Sequence, residues 1–418
     1  MAADGVPLRK NWAFQRLVVA KVANELSSSI GNLALPLLVV VVSGSAALAG
    51  FALAVLTGAL IASQTFAGVL VDRYSPSLML RGSSAVQAIG WAIVVIALYV
   101  PDASVALVLV GAGVAGAASG VDGPSEHALL KVIVPQDQYG RAAALGQGRE
   151  AAAGLLGAPA GGILVGLAPA LAPASQAALN MLAAVFAPRV RHSSPPAADE
   201  RFLSQLVIGF RAVFHHDGLR GIAIVSGLAN LPVVALPLTL IAEYQSQGVS
   251  PVLIGVMASA FGVGMVLGSF VAGLLATKVR LGVLGVLSLA GFAGGQIAVL
   301  FSYQDFWITT TVLTLSALPL PSFNAAISAY TAAVTPAAYM GRIAAASGVP
   351  GMILMPVGSL VAGVLFDHYG ALVALLVSAG AAIVTVAVTL LSRALRAIPR
   401  LAVLRETDLT QISMPGRT

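Results

Sequence analysis

The chain has 418 residues, 58% hydrophobic and 9% charged, with a formal net charge of +6 and a mean hydropathy of +0.94. A soluble domain carries roughly 25% charged residues, so this composition excludes a water-exposed globular surface. The chain has no cysteine, which excludes disulfides, thiol catalysis and cysteine metal sites.

Apolar runs fall at about 14–42, 46–71, 78–100, 103–127, 138–168, 170–187, 219–243, 250–276, 281–302, 306–333, 337–366 and 370–392. A spanning helix needs about 20 apolar residues, and barrel strands would alternate over about half that length. The runs therefore predict an all-α membrane protein of twelve transmembrane helices, the 170–187 run being the shortest. Lys21 and Glu25 interrupt the first run, and no small-residue cleavage site follows it, so it does not read as a signal peptide.

Charge placement fixes the expected orientation. Connections near 43–46, 101–103, 167–175, 244–250, 302–306 and 366–370 contain no Lys or Arg. Arg9, Lys10, Arg73, Arg81, Lys131, Arg141, Arg189, Arg191, Arg201, Arg211, Arg220, Lys278, Arg280 and Arg342 fall at the opposite ends, with Arg16, Lys21 and Arg149 somewhat deeper. This positive-inside bias predicts cytoplasmic termini, and its spread along a lipid boundary argues against nucleic acid.

The division expected is an N-terminal six-helix bundle at 1–187, a linker at 188–218, a second bundle at 219–392 and a basic cytoplasmic tail at 393–418. Within the linker, Phe202, Leu203, Leu206, Val207, Phe210, Val213 and Phe214 follow helical spacing beside Arg201 and Arg211, which predicts an interfacial helix. His215-His216-Asp217 closes it without a further ligand nearby, so it reads as a polar interfacial cluster rather than a metal site. The two bundles echo each other: Ala34-Leu35-Pro36-Leu37 recurs as Ala235-Leu236-Pro237-Leu238, and Pro135 and Arg141 recur as Pro336 and Arg342, all 201 positions later. Several matches at one offset predict two parallel, pseudo-symmetric repeats.

Gly68-Val-Leu-Val-Asp72-Arg73 resembles the G-x-L-a-D-R signature between helices 2 and 3 of the major facilitator superfamily. Gly154-Leu-Leu-Gly157-Ala-Pro159-Ala-Gly161-Gly162 resembles the glycine-proline motif in helix 5 of its drug antiporters. Pro124-Ser125, Ala128-Leu129-Leu130, Val134-Pro135 and Gly140-Arg141-Ala142 resemble the branch containing macrolide-efflux proteins and the enterobactin exporter. The resemblance implies the major facilitator fold, alternating access and a central pathway lined by helices 1, 4, 7 and 10. There are departures. Ser75, Pro76 and Ser77 stand where the family loop continues with glycine and basic residues, Thr277 stands opposite Asp72 in the second repeat, and Glu126 occupies a neighbourhood where the exporter branch often has arginine.

The candidate gating residues are Gly68, Asp72, Arg73, Arg141, Gly157, Pro159 and Arg342. Asp72 can accept hydrogen bonds from helix N-terminal amides near Pro336, a contact that stabilises by about 0.3–1 kcal/mol when exposed; alternatively, Asp72 and Arg73 are solvated loop charges. The candidate proton or substrate pathway is Glu25, Asp122, Glu126, Arg149 and Glu150. Glu25 lies some 16 Å into helix 1 at 1.5 Å per residue, where a carboxylate must face a cavity, pair or carry a proton. Lys21, one turn earlier, is its expected local partner and is near enough to the surface to snorkel. Asp122 and Glu126 share a face and repel unless balanced by Lys131, Arg141 or Arg149. Ser28, Ser29, Asn32, Asn230, Ser322 and Asn324 are the candidate cavity residues; the alternative for each is helix-to-helix packing.

Gly111-Ala-Gly113-Val-Ala-Gly116 matches a dinucleotide fingerprint, but it lies inside an apolar helix with no preceding strand, so its glycines read as packing contacts. No phosphate-binding loop, HExxH or nucleophile elbow is present, and the five histidines fall at loops or run ends. The expectation is a transporter rather than an enzyme, without cofactor or metal. It would be monomeric, in a bacterial plasma membrane, exchanging protons for lipophilic or amphipathic compounds; a natural product such as a siderophore, or a metabolite taken up, is the alternative.

Overall fold

The computed structural model describes residues 7–100, 104–190, 211, 213–335 and 351–400, with backbone alone at 68, 69, 72, 73, 104, 276 and 332. Seven helices come first: α1 (Trp12–Ser43), α2 (Ala46–Arg73), α3 (Pro76–Ala97), α4 (Ser104–Ser119), α5 (Asp122–Ile133), α6 (Tyr139–Leu167) and α7 (Leu171–Phe186). They are followed by α8 (Asp217–Ser246), α9 (Pro251–Lys278), α10 (Leu281–Ser302), α11 (Phe306–Ala317), α12 (Leu320–Val334) and α13 (Met355–Leu391), with a final turn at Arg393–Arg396.

Ten helices among the described residues are long and apolar enough to cross a membrane. Two more segments complete the expected twelve. Leu171–Phe186 is apolar but shorter. The long α13 is two arms, because Gly370 has φ 79° and ψ 178°, a region open essentially to glycine alone. The fourth and tenth spans, Val105–Ile133 and Phe306–Thr331, are both broken near their middles, where α4 gives way to α5 and α11 to α12. The repeat seen in sequence thus recurs as matching breaks.

Local chemistry sets the boundaries. Asn11 caps α1 by accepting from Phe14 N at 3.1 Å and donates to Ile133 O at 2.7 Å, tying the start of α1 to the end of α5. Gly44, at φ 68°, ends α1 in the left-handed region, and Ser45 caps α2 by accepting from Leu48 N. Arg81 donates to Ala184 O, and Arg16 donates to Val185 O and Phe186 O. These two arginines satisfy the free carbonyls at the end of α7, the favourable place for a cation.

The chain separates into two compact units, Met1–Asp199 with Ile241–Ser259, and Glu200–Leu240 with Ala260–Thr418. Sequence division had placed 241–259 in the second bundle. In the first unit this stretch packs on α6: a Cβ at Gly162 would strike Pro251 O, and one at Gly255 would lie 2.8 Å from Ala158 O. The fingerprint glycines are spent the same way. A Cβ at Gly111 would lie 2.6 Å from Gly90 O on α3, and one at Gly116 would strike Leu56 O on α2. Without lipid–water contrast to drive helices together, such close approach supplies the dispersion contacts.

In the second unit, Leu219, Ile222, Leu281, Leu284, Phe323, Tyr330 and Leu395 form a buried cluster. The chain beyond α13 returns to α10, where Leu281 N and Gly282 N donate to Pro399 O and Ile398 O.

Candidate functional site

Lys21, Asn24, Glu25 and Ser28 recur three and four residues apart, so α1 presents them on one side. Asp122 and Glu126 come from α5, and Arg149 from α6. Arg149 donates from Nε to Glu25 Oε2 and from Nη2 to Glu25 Oε1, both at 2.7 Å, and from Nη2 to Glu126 Oε1, also at 2.7 Å. Lys21 Nζ reaches the other Glu126 oxygen at 3.1 Å. The four side chains are 7–16% exposed.

This corrects two expectations. The local Lys21–Glu25 pair does not form, because the guanidinium fork matches both oxygens of Glu25 and Lys21 turns to Glu126. Lys21 does not snorkel; it is buried within the network.

Asp122 is held differently. Ser83 Oγ donates to Oδ1 at 2.5 Å, Gln87 Nε2 donates to Oδ2 at 2.8 Å, and Asn24 Nδ2 lies 3.4 Å from Oδ2. Asn24 also donates to Ser84 Oγ at 3.1 Å. Among the described residues no cationic nitrogen lies within ion-pair distance of Asp122. Asp122 and Glu126 share a helix yet face different partners, α3 donors for one and cations for the other, which separates the two charges expected to repel.

A cavity of about 630 Å³ opens beside these groups. It runs from Tyr139 and Ala142 in the first turns of α6 to Asn32 and Leu60, and its wall includes Lys21, Glu25, Asp122, Glu126, Arg149 and Glu150. Ser28, Ser29 and Asn32 also line it. So does His127, which sequence placed at the end of an apolar run but which lies within α5. Glu150 faces the cavity but joins none of the ion pairs, so of the Arg149-Glu150 pair only Arg149 belongs to the network. Among the described residues no group of three or more His, Asp or Glu is placed to hold a metal ion.

The remaining candidates are scattered. Asn230 donates to Gly351 O at 2.6 Å, Ser322 is buried, and Asn324 is exposed. Gly157 and Pro159 belong to the α6 face against α1, where a Cβ at Gly157 would strike Ser29. Arg141 is exposed at the start of α6. Gly68, Asp72 and Arg73 are described by backbone alone, and Arg342, with most of the amphipathic linker segment, lies outside the described residues. The backbone places Asp72 and Arg73 in the last turn of α2, where the helix dipole favours the arginine and disfavours the aspartate.

Sequence reading missed Asn24, Ser83, Ser84 and Gln87. Ser83 and Gln87 are four apart on α3, a polar stripe in an apolar run, and that spacing was the available signal.

The model of the Major Facilitator Superfamily matches residues 17–245, more than half of the chain. No curated protein sequence matches it. Among the solved structures similar to it, three share 12% identity with it. One described as a bacterial homologue of the iron transporter ferroportin in an inward-facing state has a TM-score of 0.67, covering 92% of this chain and 99% of that one. A D-xylose–proton symporter has a TM-score of 0.66 with 93% and 97% covered, and a bacterial metal transporter has 0.63 with 90% and 97% covered. At that identity the likeness is one of fold. With its apolar spans, its paired breaks and a match over more than half its length, the chain belongs to the Major Facilitator Superfamily of multi-pass membrane transporters.

Proposed function

We propose that the chain exports lipophilic or amphipathic compounds in exchange for protons, by alternating access. The observation that carries this is Asp122: a buried carboxylate at the cavity wall, bonded to Ser83 and Gln87 and able to gain or lose a proton without breaking an ion pair. Beside it, Glu25, Glu126, Lys21 and Arg149 form a neutral set of two acids and two bases. A proton arriving at Asp122 therefore changes the net charge of the cavity wall by one unit, one helical turn from Glu126, which pairs with both Lys21 and Arg149. Loss of the negative charge at Asp122 removes its repulsion of Glu126 and so changes the balance of those pairs. Such a chain of contacts, differing between two states of the protein, is what coupling requires.

The wall sets Leu60, Leu130, Ala142 and Ala143 beside the charged network and the polar Ser28, Ser29 and Asn32, a mixed surface that suits an amphipathic solute. That a similar fold is described as a proton symporter supports the proton as driving ion. The test is reconstitution in liposomes with an imposed proton gradient and a panel of dyes, macrolides and siderophores. Gradient-driven flux is expected for the amphipathic members; flux unchanged when the gradient is collapsed would sink the proposal.

A further inference from the structure

Away from the cavity, a groove of about 280 Å³ opens on the first unit between the start of α1 and the end of α7. Trp12, Gln15, Arg16 and Val19 form one wall, and Val185 and Phe186 the other. Its apolar residues are open: Trp12 is 75% exposed and Val185 56%. Arg16 spends two N–H groups, from Nε on Phe186 O and from Nη2 on Val185 O, both at 3.0 Å. A guanidinium has five N–H donors, so three remain, and among the described residues no acid pairs with Arg16. The charged residues that flank it along the chain are of one sign, and the exposed Asp137 lies next to Gln138, which accepts from Leu8 N. Arg9 and Lys10 are exposed just before α1, Arg189 is exposed just after α7, and the stretches 7–20 and 173–190 contain no Asp or Glu.

We infer that this groove is a binding site for an acidic phospholipid of the leaflet at the N-terminal end of α1. Val19, Val185 and Phe186 pack against an acyl chain, the free edge of Arg16 donates to the phosphate and acidic headgroup oxygens, and the Trp12 indole sits at the interfacial depth that tryptophan favours. A zwitterionic lipid offers the same phosphate but brings its own cation, which the unbalanced charge of Arg9, Lys10, Arg16 and Arg189 does not favour. This site is independent of the transport reading.

The experiment uses the full chain with Trp91→Phe and Trp307→Phe, leaving Trp12 as its one tryptophan, in phosphatidylcholine vesicles. Brominated phosphatidylglycerol and brominated phosphatidylcholine are added at equal mole fraction, and quenching of Trp12 is read. The acidic lipid is expected to quench about fivefold more effectively, the gain from one well-placed surface cation. Arg16→Gln should abolish the preference, while Arg9→Gln with Lys10→Gln should leave most of it. Equal quenching by both lipids would overturn the site, as would no quenching by either, which means that protein covers the groove. A preference that survives Arg16→Gln, or vanishes with Arg9→Gln and Lys10→Gln, would assign the effect to diffuse surface charge and overturn it too. Where Arg16→Gln fails to fold, the variant with Arg9→Gln and Lys10→Gln still decides between the groove, which keeps the preference, and diffuse charge, which loses it.

Discussion

Arg149 holds Glu25 through two parallel hydrogen bonds of 2.7 Å, closing α6 onto α1. Removing one partner of such a buried pair leaves the other uncompensated, at a cost on the order of 3 kcal/mol. Arg149→Gln should therefore lower the melting temperature of the purified protein markedly. Glu25→Gln together with Arg149→Gln should cost less than the two single changes summed, and strict additivity in that double-mutant cycle would remove the coupling argued above.

Asp122→Asn should abolish gradient-driven flux while sparing gradient-independent exchange of labelled substrate, since a fixed neutral group can still bind but cannot carry a proton. Ser83→Ala and Gln87→Leu should reduce driven flux more than exchange. A variant with Asp122→Asn and full driven flux would assign the proton to another group.

The α6 glycines predict opposite outcomes three residues apart. Gly154 has open space where a Cβ would stand, whereas a Cβ at Gly157 would strike Ser29 and lie 3.0 Å from Ile30 N. Gly154→Ala should stabilise by up to about 1 kcal/mol through helix propensity. Gly157→Ala should destabilise by about 1–3 kcal/mol through overpacking. Thermal unfolding of the two variants side by side checks the sign of each.

The last turn of α2 gives a second contrast. Arg73 is favoured there by the helix dipole and Asp72 is not, so a contact made by Asp72 elsewhere would have to offset that cost. Asp72→Asn should shift the balance of conformations more than Arg73→Gln does. The cysteine-free chain allows a direct reading, by labelling single introduced cysteines on either side of the membrane.

His216, ahead of α8, offers a pH test. Burial against the Tyr330 ring, their centroids 6.3 Å apart, pushes its ionisation below the ordinary histidine value, with Asp217 opposing in part. Below about pH 6.5 the unfolded chain then binds the proton more readily than the folded one. Stability contributed by neutral His216 is present above that pH and is lost as pH falls. His216→Gln should flatten the decline of melting temperature between neutral and mildly acidic pH.

Span count was legible because it follows from run length, and the runs ending near 366 and resuming at 370 bracket the kink at Gly370; the breaks within the fourth and tenth spans were not, since apolar composition continues across them. The polar candidates on α1 were legible for a similar reason, since helical spacing alone puts Lys21, Glu25, Ser28 and Asn32 on one side. Their partners were not. Local spacing favoured Lys21 for Glu25, whereas the partner that wins is Arg149, 124 positions away, and only tertiary geometry decides between a nearby ammonium and a distant fork. Ser83 and Gln87 were hidden because such residues commonly serve helix packing in lipid; what distinguishes them is the carboxylate they face.

The break between α4 and α5 divides the labour of one span. Ser104–Ser119 carries no titratable group, and Gly111 and Gly116 seat it on the backbones of α3 and α2. Asp122–Ile133 carries Asp122 and Glu126. The first piece packs the span into the bundle and the second carries the acids, with Gly120 and Val121 between them. Under the proton exchange proposed above, the group that takes the proton therefore sits outside the piece whose glycines set the close helix contacts.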